Sequence, residues 1–405
     1  MNRRAFLKNL TSAGACFLVG STATGRSLLI VADGSDSRIS NVEWILYRTG
    51  RQQVDGQPEY RCAVRATSAG GVQGWADLDG SAMVDTETAA VIRDILLGRD
   101  IADVEAIWQG LYEKGIALIT LSAVDIALWD LLARIEGKSV HTLLGAKRQN
   151  VAVYASTGFN LGEPQKYAEF ALAAKEQGIY GCKIQPHVGS TARGSDSASA
   201  GSIDRDMAAY AAVRQAVGPD YPLMADNGCS YTFNDALRVG QLLDDLKYEW
   251  YQSPMPENDD WLDRYTSLAA RLTTPICAPA MNPDSYQARA RWIQAKGCDV
   301  AAIDAHHGGF TACRMLAAEC EAAKIPLQLP DIGPDSYPHL QLIATVAPSL
   351  IKCIEVRSLS RETSVQPGRT APEPTFDDQG NIPIPQAPGM GLELDWNHIL
   401  THRLT

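Results

Sequence analysis

The stretch 248-YEWYQS-253 is typical of a short buried strand whose aromatic residues lead into polar ones at the carboxyl end. Seven other short apolar runs recur between residues 151 and 356, with helical patterns between them. The eight runs are 151–156, 180–185, 222–227, 248–253, 275–279, 299–304, 325–330 and 351–356. Eight strands that alternate with helices over about 205 residues predict an α/β fold of the (β/α)8 barrel type, whose usual size is about 200–250 residues.

A doubly wound open sheet is the structural alternative for the same alternation of strands and helices. The glycine-rich phosphate-binding patterns G-x-G-x-x-G and G-x-x-x-x-G-K-[ST] do not occur near any of the strand ends. The sequence therefore weakens a nucleotide-binding version of that alternative.

The region before the barrel has a different order of predicted strands and helices. Two β-like runs, 42–50 and 59–68, are followed by helical patterns at 84–100, 102–115 and 119–140. We therefore expect an α+β capping domain at 38–148, the barrel at 149–380, and a loop-like C-terminal segment at 381–405 that returns to the capping domain. The polar segment 188–202, after the second strand, is a candidate lid.

The first residues, 1-MNRRAFLKNL-10, match the twin-arginine export signal, and a modest apolar run with small residues follows. That run is too polar and too short for a stable membrane span. The sequence predicts a signal peptide over residues 1–25 and an exported, periplasmic or extracytoplasmic protein.

The composition excludes some classes of partner. The chain has 405 residues, a net charge of −11 and no long basic run, which argues against a nucleic-acid partner. A small carbohydrate-type molecule is compatible with that charge. The nine cysteines are scattered without C-x-x-C spacing, which favours buried thiols over a structural zinc site.

Polar residues stand at the carboxyl ends of the expected strands, which is where the active sites of (β/α)8 barrels lie. They are Lys183, Gln185 and His187 after strand two, Asp226 and Asn227 after strand three, Gln252 after strand four, Asp304, His306 and His307 after strand six, Asp331 after strand seven, and Glu355 on strand eight. Any one of them could cap a helix or form an ion pair, but their repetition at equivalent points favours a functional site.

These residues resemble the enolase superfamily, in its mandelate racemase/muconate lactonizing branch. The resemblance rests on the helix 122-SAVDIALWDLLARIEGKSVHTLLG-145 and on the ordered landmarks 183-KIQ-185, 226-DNG-228, 252-QSP-254, 275-PICAPA-280 and 306-HHGGFT-311. The tail 388-PGMGLELDW-396 is also similar. The resemblance implies a barrel with a capping domain and assembly into a homo-oligomer.

The resemblance also implies a shared half-reaction, in which a base removes the proton next to a carboxylate and Mg2+ stabilises the enediolate. Three carboxylates from strands three, four and five hold the metal, because Mg2+ prefers anionic oxygen ligands. Here Asp226 matches the first ligand and Gln252 stands at the second, while Ala280 stands at the third and is no ligand. Mg2+ is thus the implied cofactor, but the set that would bind it is degenerate.

The acid and base positions depart from the family as well. Lys183 is retained, Gln185 stands at the position of the base, and the strand-seven histidine falls at Pro330. Asp304 and Glu355 match the family. We expect the catalytic residues to be Lys183, Gln185, Asp304, His306, His307 and Glu355, with His187, Asn227 and Asp331 as substrate-binding residues.

Three functions follow from this pattern. The first is a divergent dehydratase or epimerase acting on a sugar acid, in which Lys183 is a base or replaces part of the metal's charge. The second is an inactive, exported carbohydrate-binding protein. The third is a Mg2+-dependent dehydratase with a relocated metal site at Asp226, Gln252 and a neighbour such as Asn227 or Asn282.

Overall fold

A computed structural model describes residues 36–53, 56–186, 200–280, 286–330 and 336–404, excluding the side chains of 200–202. The predicted signal peptide, most of the candidate lid, and the predicted site residues His187, Asn282 and Asp331 lie outside these ranges. Residues 200–202 of the candidate lid belong to a helix, Ala200–Val217.

The N-terminal part is a three-stranded antiparallel sheet in the order β1-β2-β3. Its strands are β1 (Ile39–Gln52), β2 (Pro58–Ser68) and β3 (Gln73–Asp79). A four-residue helix at Val140–Leu143 and three longer helices follow the sheet, the longer ones at Thr86–Leu96, Val104–Glu113 and Leu118–Ile135. The last of these, called here the long capping helix, is buried almost all round, as expected for a helix that is apolar on every face. The predicted α+β capping module is confirmed.

The eight predicted barrel strands are also confirmed. They are β4 (Asn150–Ser156), β5 (Gly181–Ile184), β6 (Leu223–Asp226), β7 (Trp250–Gln252), β8 (Ile276–Ala278), β9 (Val300–Ala302), β10 (Leu327–Gln328) and β11 (Cys353–Val356). All are parallel, in the order β10-β9-β8-β7-β6-β5-β4-β11. A backbone hydrogen bond of 2.8 Å from Leu327 to Leu350 bridges the two ends of this order, so the barrel is nearly closed.

Helices connect consecutive barrel strands. They are Pro164–Glu176, Ala200–Val217, Phe233–Asp245, Leu262–Ala269, Tyr286–Gln294, Gly309–Ala323 and Tyr337–Thr345. None of the helices in the described part of the chain is long and apolar enough to cross a membrane. Because every strand runs in the same direction, the carboxyl ends of all eight meet at one end of the barrel.

The C-terminal segment is more regular than the sequence predicted. Residues Asn381–Pro383 form a short strand, β12, antiparallel to β4, and Trp396–Thr401 form a helix. The segment between them returns to the capping module, where the Leu392 carbonyl accepts a 2.8 Å bond from the indole of Trp75. A Pro-rich run had hidden this strand, since proline is tolerated only at sheet edges.

The long capping helix docks directly onto the segment that follows β9. Buried Asp125 accepts hydrogen bonds from the Thr311 hydroxyl at 2.6 Å and the Thr311 backbone at 2.8 Å. Ser122 accepts a 3.0 Å bond from the Gly308 backbone. Burial raises the pKa of Asp125 to about 7, although the bonds from Thr311 oppose the rise. The capping module therefore fixes one loop at the mouth of the barrel.

The eight cysteines of the described ranges are all buried thiols. Burial raises the pKa of several of them, including Cys182 and Cys353. Protonated thiols inside apolar surroundings pack as small hydrophobes, and the sequence-based interpretation is confirmed.

Gly309 gives a direct test of the docking of the long capping helix onto the segment that follows β9. Its φ is +86°, and a Cβ at this position would lie 2.5 Å from Asp125 Oδ2. We predict that Gly309→Ala lowers the free energy of unfolding by about 2–5 kcal/mol, as the sum of left-handed strain and overpacking. Gly71→Ala is the matched control, because Gly71 has a φ of +84° but nothing within 4 Å of the added carbon. Equal costs in urea denaturation would contradict the docking.

Candidate active site

Lys183 lies at the centre of the candidate site, on β5. Its ammonium donates to Glu355 Oε2 at 2.9 Å and to Gln252 Oε1 at 3.0 Å, and lies 3.4 Å from Asp226 Oδ2. The Lys183 side chain is 2% exposed. Four residues predicted from separate strands are thus brought into one buried cluster, which we call the Lys183 cluster.

The pairing of the strands explains this convergence. Asp226 pairs in register with Gln252, at the carboxyl ends of β6 and β7. Glu355 pairs with Tyr154 and Lys183 pairs with Ser156, so β4 links the strands that carry Glu355 and Lys183. Contact between the four side chains then follows, because inward-pointing residues of a barrel stack in layers.

The carboxylates keep Lys183 charged. Burial alone would lower the pKa of Lys183, but the charges of Glu355 and Asp226 outweigh burial and raise it above its ordinary value of 10.5. A lysine held as an ammonium ion has no lone pair with which to accept a proton. Of the two roles expected for Lys183, this arrangement favours charge stabilisation over proton abstraction.

Gln185 occupies the position of the base that the resemblance implies, but it serves the Lys183 cluster. Its amide nitrogen donates to Asp226 Oδ2 at 2.8 Å, and its oxygen accepts from Ser156 at 3.2 Å. A neutral carboxamide is no base, so its catalytic assignment stays a prediction, and the bonds favour a role in orienting Asp226.

Sequence reasoning missed Tyr154, which extends the cluster. Its hydroxyl donates to Glu355 Oε2 at 3.1 Å and accepts from Gln328 at 3.0 Å. Tyr154 lies two residues before Ser156 on β4, on the same face of the strand, and this spacing could have identified it.

The residues at the family's metal positions do not fit Mg2+. They offer one carboxylate (Asp226), one neutral carboxamide (Gln252) and one methyl group (Ala280). The ammonium of Lys183 lies against the first two of these donors, and it would repel a second cation there. Mg2+ requires several oxygen ligands in octahedral geometry, and this set supplies neither the number nor the charge.

A second group stands after β9. Asp304 Oδ1 accepts a 2.6 Å bond from His306 Nδ1 and a 2.8 Å bond from the His306 backbone. Burial would raise the pKa of Asp304, but His306 outweighs burial and holds that pKa well below its ordinary range. An aspartate that holds the Nδ1 proton leaves the lone pair of Nε2 as a proton acceptor. Asp304 and His306 thus form an Asp–His dyad.

His339 supports the dyad from the helix that follows β10, and sequence reasoning missed it. Its Nε2 lies 3.2 Å from Asp304 Oδ1 and accepts a 2.9 Å bond from the Ala305 backbone. The buried ring therefore contacts the loop that carries the dyad.

Asp304, His306 and His339 are also the kinds of ligand that bind transition metals, with donor atoms within 4.8 Å of one another. In this arrangement, however, the donors are bonded to each other and to the backbone. The single lone pair of His339 Nε2 already receives the Ala305 N–H. The geometry is that of a hydrogen-bonded dyad with a support.

His307 is held in the opposite way from His306. Its Nδ1 lies 3.1 Å from the guanidinium of Arg289, which can only donate. Arg289 is buried, and it is fixed by bonds of 2.7 Å to the carbonyls of Pro279 and Ala302. The Nδ1 of His307 is therefore an acceptor, and its proton lies on Nε2. The two adjacent histidines offer a lone pair and a proton, respectively.

The two groups stand on opposite sides of the barrel mouth, since β5 and β9 are four strands apart in a barrel of eight. A cleft of about 680 Å³ opens beside His306 and His307, and it is also lined by the capping segment 115–119 with Tyr112. This volume is within the usual range of small-molecule sites, about 300–1,000 Å³.

Asn227 is placed away from this arrangement. Its side-chain oxygen accepts from Tyr210 at 2.9 Å, and its nitrogen donates to Tyr231 at 2.6 Å. Both ends of the buried amide are therefore occupied. Its substrate-binding role stays a prediction, and the contacts favour a structural one.

Comparisons with known proteins agree with the fold. Residues 53–145 match the mandelate racemase/muconate lactonizing enzyme N-terminal domain, and residues 166–398 match the enolase C-terminal domain-like family.

Similar proteins include sugar-acid dehydratases and cycloisomerases. The D-galactarolactone cycloisomerase of Agrobacterium fabrum is 27% identical over 354 residues, which are 82% of this chain and 89% of that protein. The L-talarate/galactarate dehydratase of Salmonella typhimurium is 31% identical over 201 residues, covering 48% of this chain and 47% of that protein. A solved D-glucarate dehydratase from Agrobacterium tumefaciens, complexed with magnesium, has a TM-score of 0.79 and 26% identity over 92% of this chain and all of that one.

The contacts of the Lys183 cluster lead to a prediction about the stability of the fold. Lys183→Met leaves two carboxylates buried without a counter-charge, and we expect a loss of about 3–5 kcal/mol in the free energy of unfolding at pH 7. Because the pKa of Lys183 is raised on folding, its contribution is complete at neutral pH and is lost only as the pH rises beyond about 10.5.

The matched control for this prediction is the double variant Lys183→Met/Glu355→Gln, which also removes one of the two uncompensated charges. It should be more stable than Lys183→Met alone. Additive losses in denaturant titrations would show that the ion pair contributes nothing.

Proposed function

We propose that this chain, which belongs to the mandelate racemase/muconate lactonizing enzyme family of the enolase superfamily, is a lyase that removes water from a sugar acid without a bound Mg2+. The observation that carries the proposal is the ammonium of Lys183 in contact with Asp226 and Gln252, where the family resemblance implies a metal. The sugar-acid class is supported by the names of the similar dehydratases and cycloisomerases.

The base in this proposal is His306. Its Nδ1–H is bonded to Asp304 at 2.6 Å, and its side chain is 27% exposed beside the cleft. A histidine whose other nitrogen is held by a carboxylate is oriented to accept a proton at Nε2. The proton it takes is the one on the carbon next to the substrate's carboxylate.

Lys183 supplies the positive charge for the enediolate. Removing that proton turns the carboxylate into a species with an additional negative charge, and a preorganised cation stabilises it more than it stabilises the substrate. The ammonium is fixed by Glu355 and Gln252, so it need not reorganise during the step.

His307 is the acid. Because Arg289 donates to its Nδ1, the proton on Nε2 is available to a departing group. In the dehydration, the C–H electrons form a double bond between carbons 2 and 3, and the bond from carbon 3 to its hydroxyl breaks. The hydroxyl takes the Nε2 proton and leaves as water. The resulting enol tautomerises to a 2-keto-3-deoxy acid.

A second candidate is a protein that binds a carbohydrate without turnover. The observation that favours it is the burial of the Lys183 cluster, whose lysine, Asp226 and Glu355 side chains are 2%, 9% and 5% exposed. A cluster so fully paired could serve stability alone.

Two expectations, the export of the protein and its assembly into a homo-oligomer, remain proposals. The Arg3-Arg4 motif supports export, which a reporter fusion of residues 1–35 would test by its location. The family resemblance supports a homo-oligomer, which light scattering of the purified protein would test.

The test of the function is turnover by the full chain with a chelator present, on a panel of sugar acids, with 2-keto-3-deoxy products detected. We predict chelator-resistant turnover that falls about 10²–10⁴-fold in His306→Asn. His402→Asn is the matched control, because His402 is exposed on the C-terminal segment.

Activity that requires added Mg2+, or that survives in His306→Asn, would contradict the proposed mechanism. Ligand binding without any turnover would favour the second candidate.

A further inference from the structure

We infer that the substrate carries a single carboxylate and that its remote end is uncharged and apolar, as in a 6-deoxyhexonate. The inference rests on the proposed function and deepens it by naming the substrate class. It comes from the chemistry of the cleft beside the two histidines.

One wall of the cleft is aliphatic. It includes Ile116, Leu118 and Ile119, all half-buried, so each presents apolar surface to whatever fills the cleft. His306 and His307 line the same cleft. A molecule whose reacting carbons meet the histidines therefore places its other end against Ile116, Leu118 and Ile119. Burying apolar surface there stabilises a complex.

The wall is fixed in place by two helices. Residues 114–117 join helix Val104–Glu113 to the long capping helix, and the Gly115 and Ile116 backbones donate to Tyr112 and Leu111 at 3.0 and 3.4 Å. Tyr112 stacks on buried Trp108 with ring centroids 5.0 Å apart. A wall held in this way presents the same apolar surface before and after binding.

The charge of the cleft also favours a substrate with a single carboxylate. Among the described residues that line it, none is Lys or Arg, and the polar side chains apart from the histidines are Ser81 and Tyr112. A second carboxylate at this end would lose hydration without gaining a cation, which is costly. Galactarate and glucarate carry a carboxylate at each end, whereas a 6-deoxyhexonate ends in a methyl group.

The experiment uses compounds that differ only at carbon 6. Galactonate, 6-deoxygalactonate and galactarate form one series, and gluconate, 6-deoxygluconate and glucarate form the other. We expect 6-deoxyhexonate to exceed hexonate and hexonate to exceed hexarate, in calorimetric affinity and in kcat/KM. In the preferred series, the 6-deoxyhexonate should exceed the hexarate by at least ~10-fold.

A substitution in the aliphatic wall tests whether this wall causes the preference for the 6-deoxyhexonate. Ile116→Ser should reduce the preference for 6-deoxyhexonate over hexarate from at least ~10-fold to about 3-fold or less, through KM with kcat unchanged, since the wall contacts substrate away from the reacting carbons. Val91→Ser is the matched control, because Val91 is a 37% exposed apolar residue on another helix. It should leave the preference unchanged.

The outcomes separate this inference from the proposed function. The expected order in binding without any turnover would sustain the inference and overturn the lyase. Turnover with equal or better use of the hexarates would overturn the inference and leave the lyase. Binding of none of the six compounds would overturn the inference.

Discussion

The buried contact of Lys183 with Glu355, Asp226 and Gln252 is the interaction on which the site depends. It joins side chains from β5, β6, β7 and β11, so it ties both halves of the barrel at the end where the candidate site lies. Two carboxylates buried together would repel each other, and the single ammonium makes their burial tolerable. In the proposed function, the same charge also stabilises a developing anion.

The other half of the site is held by the capping module. Asp125 and Ser122 on the long capping helix bond to Thr311 and Gly308, immediately after His306 and His307. Gly308 and Gly309 both adopt positive φ, which lets the chain turn from the dyad into the next helix. The histidines are therefore oriented from three sides: by Asp304, by Arg289, and by the capping helix behind their loop.

Much of this architecture was predictable, because local patterns encode it. Short apolar runs at regular intervals identified the eight strands, and polar residues at their ends identified Lys183, Asp226, Gln252 and Glu355. The partners that a single sequence hides are those that meet through long-range folding. Arg289 and His339 lie on helices that follow β8 and β10, and no spacing in the sequence relates them to the residues they contact, His307 and Asp304.

Individual roles were harder to predict than positions. Lys183 could be a base or a stabilising charge until the carboxylates around it were placed, because the pKa of a lysine depends on its neighbours and its burial. Asn227 stands at a strand end like the others, yet its side chain is directed to Tyr210 and Tyr231. A strand-end position gives proximity to the site, and the rotamer decides what the side chain contacts.

The central claim is that an ammonium ion has replaced the metal in this barrel. A calorimetric titration with Mg2+ tests it most directly, on the wild-type chain and on the variant Lys183→Met/Gln252→Glu/Ala280→Glu, which removes the cation and restores two carboxylates. The account predicts no binding to the wild type up to about 1 mM and binding to the variant, because ligand charge sets affinity at oxygen sites. Micromolar binding to the wild type that disappears in Asp226→Ala would contradict it.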